Sequence, residues 1–313
     1  MNMDPSTEMS WGTLGTIRPF ANFNAGKDAR DIQAALEKKD AVTLVKILTN
    51  RDNAQRQLIA RNFKCIKDKE LISALKKNVS GELSDLLTAL VMTPLRFEAY
   101  RLRQAMEGIG TDEEGLLEIL CTRSTEQLSN ISATYKEEYK KDLEEDLMGE
   151  TSGNFAKLVV ALLKKKERAG EVQTDTEVLS EAINKARADP NPWISILTSR
   201  NSEHLNQVFD NLEREKHEAV DKSIEKAFSG DLKLGLQTLV NCIQKPHLYL
   251  AQRLDTMKAA VVQGVMVAHS EEDLLCVRVA YLKQTGTSLY TALQRQFKGD
   301  HLQALLSICR SED

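Results

Sequence analysis

The chain has 313 residues and a net charge of −4, with 42% hydrophobic and 28% charged residues. That length accommodates two or more cores, or one repetitive core, and 15 glycines with only 6 prolines suit helix better than a loop-rich β fold. No apolar run is long enough to span a bilayer, and a weakly acidic chain gains nothing from bare attraction to phosphate-rich partners, whether nucleic acid or anionic membrane.

Residues 1–20 contain Asp4, Pro5, Gly12, Gly15 and Pro19 and no apolar h-region, so they do not read as a secretory signal. They also lack the regular apolar face of a helix that docks in a partner's groove. Trp11 is placed to anchor this tail, and Ser6, Thr7 and Ser10 are candidate phosphorylation sites. Cys65, Cys121, Cys242, Cys276 and Cys309 are odd in number and lack metal-type spacing, which reads as reduced thiols in an intracellular protein.

The stretches ILTNRD, ILCTRS, ILTSRN and VMVAHS align Arg51, Arg123, Arg200 and His269. Each is followed by a residue suited to an N-cap: Asp52, Ser124, Asn201 and Ser270. Gln55, Gln127 and Asp273 stand three residues on, the spacing of a capping box. Ile59, Ile131, Val208 and Val277, and four residues later Phe63, Tyr135, Leu212 and Tyr281, then share one helix face. A glycine follows each anchor at the same interval of 30 residues: Gly81, Gly153, Gly230 and Gly299. Four equal intervals define a helical repeat of roughly 70 residues, none of whose copies buries its apolar face alone. The limits are a tail over 1–23 and repeats over 24–95, 96–168, 178–245 and 246–313, with the polar connector ERAGEVQTDTE joining the second and third.

A fourfold helical repeat of this length, with LTNRDNAQRQLIA, GIGTDEEGLLEIL and FKGDHLQALLSIC, resembles the annexin family over nearly the whole chain after residue 20. The resemblance implies an all-α fold in which four repeats of five helices pack into a slightly curved disc whose convex face meets phospholipid through calcium. It makes the first twenty residues the family's variable segment and seat of partner binding. It also places Cys242 and Cys309 where some members form a late disulfide; in a reducing compartment they are expected as thiols, with a bond open.

MEGIGTDEEG, residues 106–115, is the one glycine-rich loop of its kind. Locally it reads as a tight turn between helices, with Gly108 ending one in the left-handed region, Thr111 capping the next and Glu114 closing the box. It also reads as an ion site. A helix C-terminus leaves carbonyls without partners, glycines let several point at one spot, and Ca2+ takes about six to eight hard oxygens. Neutral carbonyls bind weakly, and Glu150, three residues before Gly153, supplies a carboxylate. In the annexin pattern the carbonyls corresponding to Met106, Gly108 and Gly110 converge with a bidentate acid corresponding to Glu150, leaving room for water or a lipid phosphate oxygen. The Glu150 position is Asn78, Ala227 and Gln296 in the other repeats, and their loops read LEKKDAVTLVKIL, KARADPNPWISIL and DTMKAAVVQGVMV. Loop and acid are lost together three times, which predicts one calcium site. Linked sites multiply affinity by roughly 10²–10⁴ per added engagement, so a single site predicts weak binding or a high calcium requirement. Trp193, beside Pro192, reads either as an aromatic seated at the lipid interface or as packed inside its repeat.

Arg51, Arg123 and Arg200 are expected to bond carbonyls or acids inside their repeats. His269 reads as a pH-sensitive replacement or a plain packing substitution. Lys164, Lys165 and Lys166 at a helix end most simply complement its dipole, with an anionic ligand as the other reading. The five histidines show no paired spacing, and no G-x-S-x-G or P-loop occurs. The expectation is a cytoplasmic, non-enzymatic protein, monomeric in solution, that binds acidic phospholipid peripherally through Ca2+ and does not bind nucleic acid. The alternative is a calcium-insensitive scaffold or adaptor for protein partners.

Overall fold

The computed structural model describes residues 14–185 and 187–310; Trp11, Ser6, Thr7 and Ser10 lie outside them. Twenty α-helices and no strand are found among the described residues, five helices in each repeat. The first repeat holds α1 (Ala25–Lys38), α2 (Ala41–Leu48), α3 (Asn53–Lys67), α4 (Leu71–Asn78) and α5 (Gly81–Val91). The second holds α6 (Pro94–Met106), α7 (Glu113–Thr122), α8 (Thr125–Tyr139), α9 (Leu143–Glu150) and α10 (Gly153–Leu163). The third holds α11 (Val172–Asn184), α12 (Pro190–Leu197), α13 (Ser202–Lys216), α14 (Val220–Ala227) and α15 (Gly230–Gln244). The fourth holds α16 (Pro246–Asp255), α17 (Ala259–His269), α18 (Leu274–Thr285), α19 (Leu289–Gln296) and α20 (Gly299–Cys309). The chain divides into two compact units, Met1–Phe97 with Leu250–Asp313 and Glu98–Tyr249.

Local chemistry punctuates the repeats. Asp52 and Ser124 form full capping boxes with Gln55 and Gln127, and Asn201 accepts from the backbone of His204. The expected cap at Ser270 is corrected. Its backbone continues helically from α17, and α18 starts at Leu274 behind Asp273. The reason is tertiary: the Ser270 carbonyl accepts the amides of Thr16 and Ile17, so the segment entering the fold occupies that turn. The third helix of every repeat ends in the left-handed region, at Asp68, Lys140, His217 and Gly286. The aligned pairs Ile59 and Phe63, Ile131 and Tyr135, Val208 and Leu212, and Val277 and Tyr281 are all buried, each worth about 1.5–3 kcal/mol as transferred apolar surface.

The anchor arginines find acids on the first helix of their own repeat. Arg51 bonds Asp28 at 2.7 and 3.1 Å, Arg200 bonds Asp175 at 2.7 and 3.1 Å, and Arg123 bonds Glu98 at 2.9 and 2.6 Å. Each acid heads the same buried pattern: Asp28, Ala29, Ile32; Glu98, Ala99, Leu102; Asp175, Thr176, Leu179. In the fourth repeat that pattern is Leu250, Ala251, Leu254. Arginine and acid are therefore replaced as a pair, and the buried His269 bonds Asp273 at 2.7 Å instead. Burying a charge without its partner is costly, which explains why neither half is lost alone.

In the first unit residues 14–20 run as a strap. Leu14 accepts from Leu275, Phe20 exchanges two bonds with the Gln55 side chain, and Arg310 donates to the Thr16 carbonyl at 2.9 Å. A side chain at Gly15 would meet the Glu271 backbone at 2.6 Å, so only glycine fits there. Glu271 in turn bonds the buried Arg56 at 2.9 Å and the Asn53 amide at 2.6 Å. None of the five cysteines is in a disulfide. Cys242 shares a hydrogen bond with Cys121, and burial raises its thiol first of all.

Candidate functional site

The segment after α6 curls because two residues take conformations closed to most side chains. Gly108 has φ +107° and Gly110 φ +87°, and nothing stands within 4 Å of a Cβ at either position. The demand is therefore on backbone torsion and not on space. The loop closes where the Asp112 amide donates to the Ala105 carbonyl at 2.8 Å. No backbone turn bond ends on the carbonyls of Met106, Gly108 or Gly110 among the described residues.

Glu150 is the last residue of α9 and is exposed. The Thr111 hydroxyl donates to the Glu150 backbone carbonyl at 3.1 Å, which ties the loop to the residue carrying the carboxylate across 39 positions of chain. The expected Thr111 cap with Glu114 is corrected by the same bond. Thr111 is engaged with Glu150, so Asp112 caps α7, accepting from the Gly115 amide at 3.0 Å. Around the site Glu107 is held by Arg103 at 2.7 Å, and the Asp112 carboxylate is engaged in capping α7. Ile109 at the loop tip is fully exposed, and Met148, two residues before Glu150, is exposed. Hard neutral carbonyls, one carboxylate and no basic side chain on the loop itself suit a divalent oxygen-binding cation such as Ca2+.

The corresponding positions elsewhere lack both parts. Asn78, Ala227 and Gln296 end α4, α14 and α19 as Glu150 ends α9, and the Asn78 amide is turned back on the Ala74 carbonyl. Between α1 and α2 stand only Lys39 and Asp40, with Lys39 itself left-handed. Between α16 and α17 stand Thr256, Met257 and Lys258. In the third repeat Pro190 occupies the first turn of α12 behind the Asp189 cap.

Trp193 does not reach the surface. It is 1% exposed, donates its indole N–H to the Leu179 carbonyl at 3.2 Å and packs edge-on against Phe228. A further metal-type cluster among the described residues joins His269, Glu272 and Asp273, where the histidine is already bonded to Asp273. Sequence reasoning missed the Thr111 bond, for which no local signal exists, and the strap over residues 14–20, which Gly15 alone marks.

Four stretches, 27–90, 97–162, 174–239 and 251–308, match the family described as Annexin. The chain is 34% identical to human annexin A9 over 98% of its own length and 93% of that protein. It is 35% identical to mouse annexin A9 over 97% and 92%. Among solved structures, annexin III superposes with a TM-score of 0.92 at 34% identity, covering 96% of this chain and 98% of that one. Chicken annexin V, solved in complex with Zn2+, superposes at 0.89 with 35% identity over 95% and 99%.

Proposed function

Because the chain belongs to the annexin family, whose members generally bind phospholipid in a calcium-dependent way, we propose that it binds acidic phospholipid through one calcium site in its second repeat. The observation that carries this is the Thr111 hydrogen bond to Glu150, which joins the glycine loop to the acid. Met106, Gly108 and Gly110 offer carbonyls, and Glu150 offers two carboxylate oxygens to the same ion. Bound calcium would supply positive charge that a chain of net −4 lacks, with coordination positions left for a lipid phosphate oxygen. The loop torsions at Gly108 and Gly110 aim the carbonyls, Thr111 fixes the loop against α9, and the exposed Ile109 offers apolar contact at the membrane interface. In this reading the protein is a monomer that associates peripherally from the cytoplasm; no helix among the described residues is long and apolar enough to cross a membrane.

With one site the protein lacks the gain from linked ions, so half-maximal binding requires high calcium. Pelleting with phosphatidylserine vesicles over a calcium titration tests the reading. Wild type pellets only when calcium is raised, Glu150→Gln does not pellet, and calorimetry finds a single calcium site. Equal pelleting in chelator, or an unaffected mutant, overturns it in favour of a calcium-insensitive scaffold.

A further inference from the structure

The basic run Lys164, Lys165, Lys166 plays no part in the calcium site. It lies in the second unit, where α10 and α12 border a groove of about 450 Å³ under the connector that leaves α10. Five cations line it, Lys157, Lys164, Lys165, Lys166 and Arg168, and no acid does. Lys164 is paired with Glu144 at 2.7 Å. The side chains of the other four have no hydrogen-bond or ion-pair partner among the described residues.

The dipole of α10 accounts for part of this charge but not for its layout. The amides of Lys164 and Lys165 already take the Val160 and Leu162 carbonyls. Lys157 sits in the first half of the helix, where a cation gains nothing from the macrodipole, and Arg168 lies beyond the helix end. The connector is also held in place. The Arg168 amide donates to the Ser199 carbonyl at 2.8 Å. A Cβ on Gly170 would lie 2.2 Å from Nε of Arg200, and Arg200 is fixed by Asp175. These contacts set Lys165, Lys166 and Arg168 over the groove before any ligand arrives, which lowers the ordering cost of binding.

We propose that this groove binds a compact, soluble anion carrying several phosphates. Four free cations around one cleft match clustered charge, Arg168 suits a phosphate fork, and Ser195 and Ser199 supply hydroxyls for further oxygens. The volume is that of a small-molecule site. Its location selects a soluble ligand over a lipid headgroup. α10 begins three residues after Glu150 and ends at Leu163, so at about 1.5 Å per residue its cationic end lies roughly 16 Å along the helix axis from the end that follows Glu150.

The test is calorimetry of the full chain with inorganic triphosphate and with inositol hexakisphosphate. Both give saturable binding, tighter for the hexakisphosphate and weakened by salt. Lys165→Gln with Lys166→Gln and Arg168→Gln weakens binding roughly ten- to a hundredfold, Lys157→Gln weakens it severalfold, and Glu150→Gln leaves it unchanged. All the altered side chains are at the surface, and a circular dichroism melt confirms that the variants fold. Absence of saturable binding below millimolar ligand, or equal affinity in the triple variant, overturns the proposal. So does preferential capture by phosphatidylinositol 4,5-bisphosphate vesicles in chelator, which assigns the cluster to a headgroup. Binding of heparin or RNA more than a hundredfold tighter than the hexakisphosphate overturns it as well, in favour of a polymer surface.

Discussion

Asp175→Leu introduces at the third repeat's anchor the residue type that the fourth repeat carries at Leu250. In the native fold Arg200 donates two bonds to Asp175, at 2.7 and 3.1 Å, and His204 adds a third at 2.7 Å. Both side chains are largely buried, 15% exposed for Arg200 and 7% for Asp175. Removing the carboxylate leaves the guanidinium in that site without its partner, a loss of about 3–5 kcal/mol for a buried pair. Taking about 3 kcal/mol, and a urea slope of about 2 kcal/mol/M, the midpoint falls by about 1.5 M. Trp193 reports the change locally, because its indole bonds Leu179 on α11, the helix that bears Asp175; Trp11→Phe removes the only other tryptophan. Asp175→Leu with Arg200→Met should recover most of the loss, since removing both charges is often close to neutral. If the double variant unfolds at the same urea concentration as the single one, the pair is uncoupled and the account of the anchors is wrong.

Thr111→Val removes the bond to the Glu150 carbonyl but no calcium ligand; at about 0.5–1.5 kcal/mol it should weaken calcium two- to about tenfold, and an unchanged calorimetric affinity would show that the loop holds its shape without it. In the Trp11→Phe background, emission from Trp193 should be insensitive to iodide and to calcium-loaded vesicles, and a blue shift on vesicle addition would contradict its burial. Burial holds the His301 imidazole below its ordinary value against the pull of Glu82 and Asp85. The neutral form is thus favoured in the fold, so the contribution to stability is intact above the unfolded pKa of about 6.5 and is lost as pH falls through the lower folded value. Denaturation midpoints measured from pH 7 to pH 5 should fall more steeply for wild type than for His301→Gln. For Asp175, burial raises the carboxyl but the bonds from Arg200 and His204 outweigh it. Its stabilisation is present above the usual carboxylate range and lost as pH drops through the lowered value, so in a titration extended below about pH 4 the acid limb should flatten in Asp175→Asn.

The sequence by itself determined the repeat, its helices and the position of the glycine loop, because these rest on relations within reach of one helix or at a constant interval. Apolar residues four apart share a face wherever the helix sits, and a cap followed by glutamine three residues on closes whatever its surroundings. The interval of 30 residues also paired the loop with Glu150 and exposed three repeats that carry neither the glycine loop nor an acid at that position. Contacts that depend on separated chain segments meeting were decided by the tertiary structure. Ser270 has the chemistry of a cap, yet its carbonyl is taken by Thr16 and Ile17 from the other end of the chain. Thr111 has the chemistry of a cap as well, and lies beside Glu150 instead. Trp193 follows a proline in a loop that could have faced solvent, and packing of α12 against α11 and Phe228 turned it inward. Lys157 and Arg168 became one cleft with the lysine run only because the connector folds back onto α12. Local propensity sets where elements begin and end; which polar group finds which partner is settled by the burial of distant surfaces, and no spacing rule in the chain encodes that.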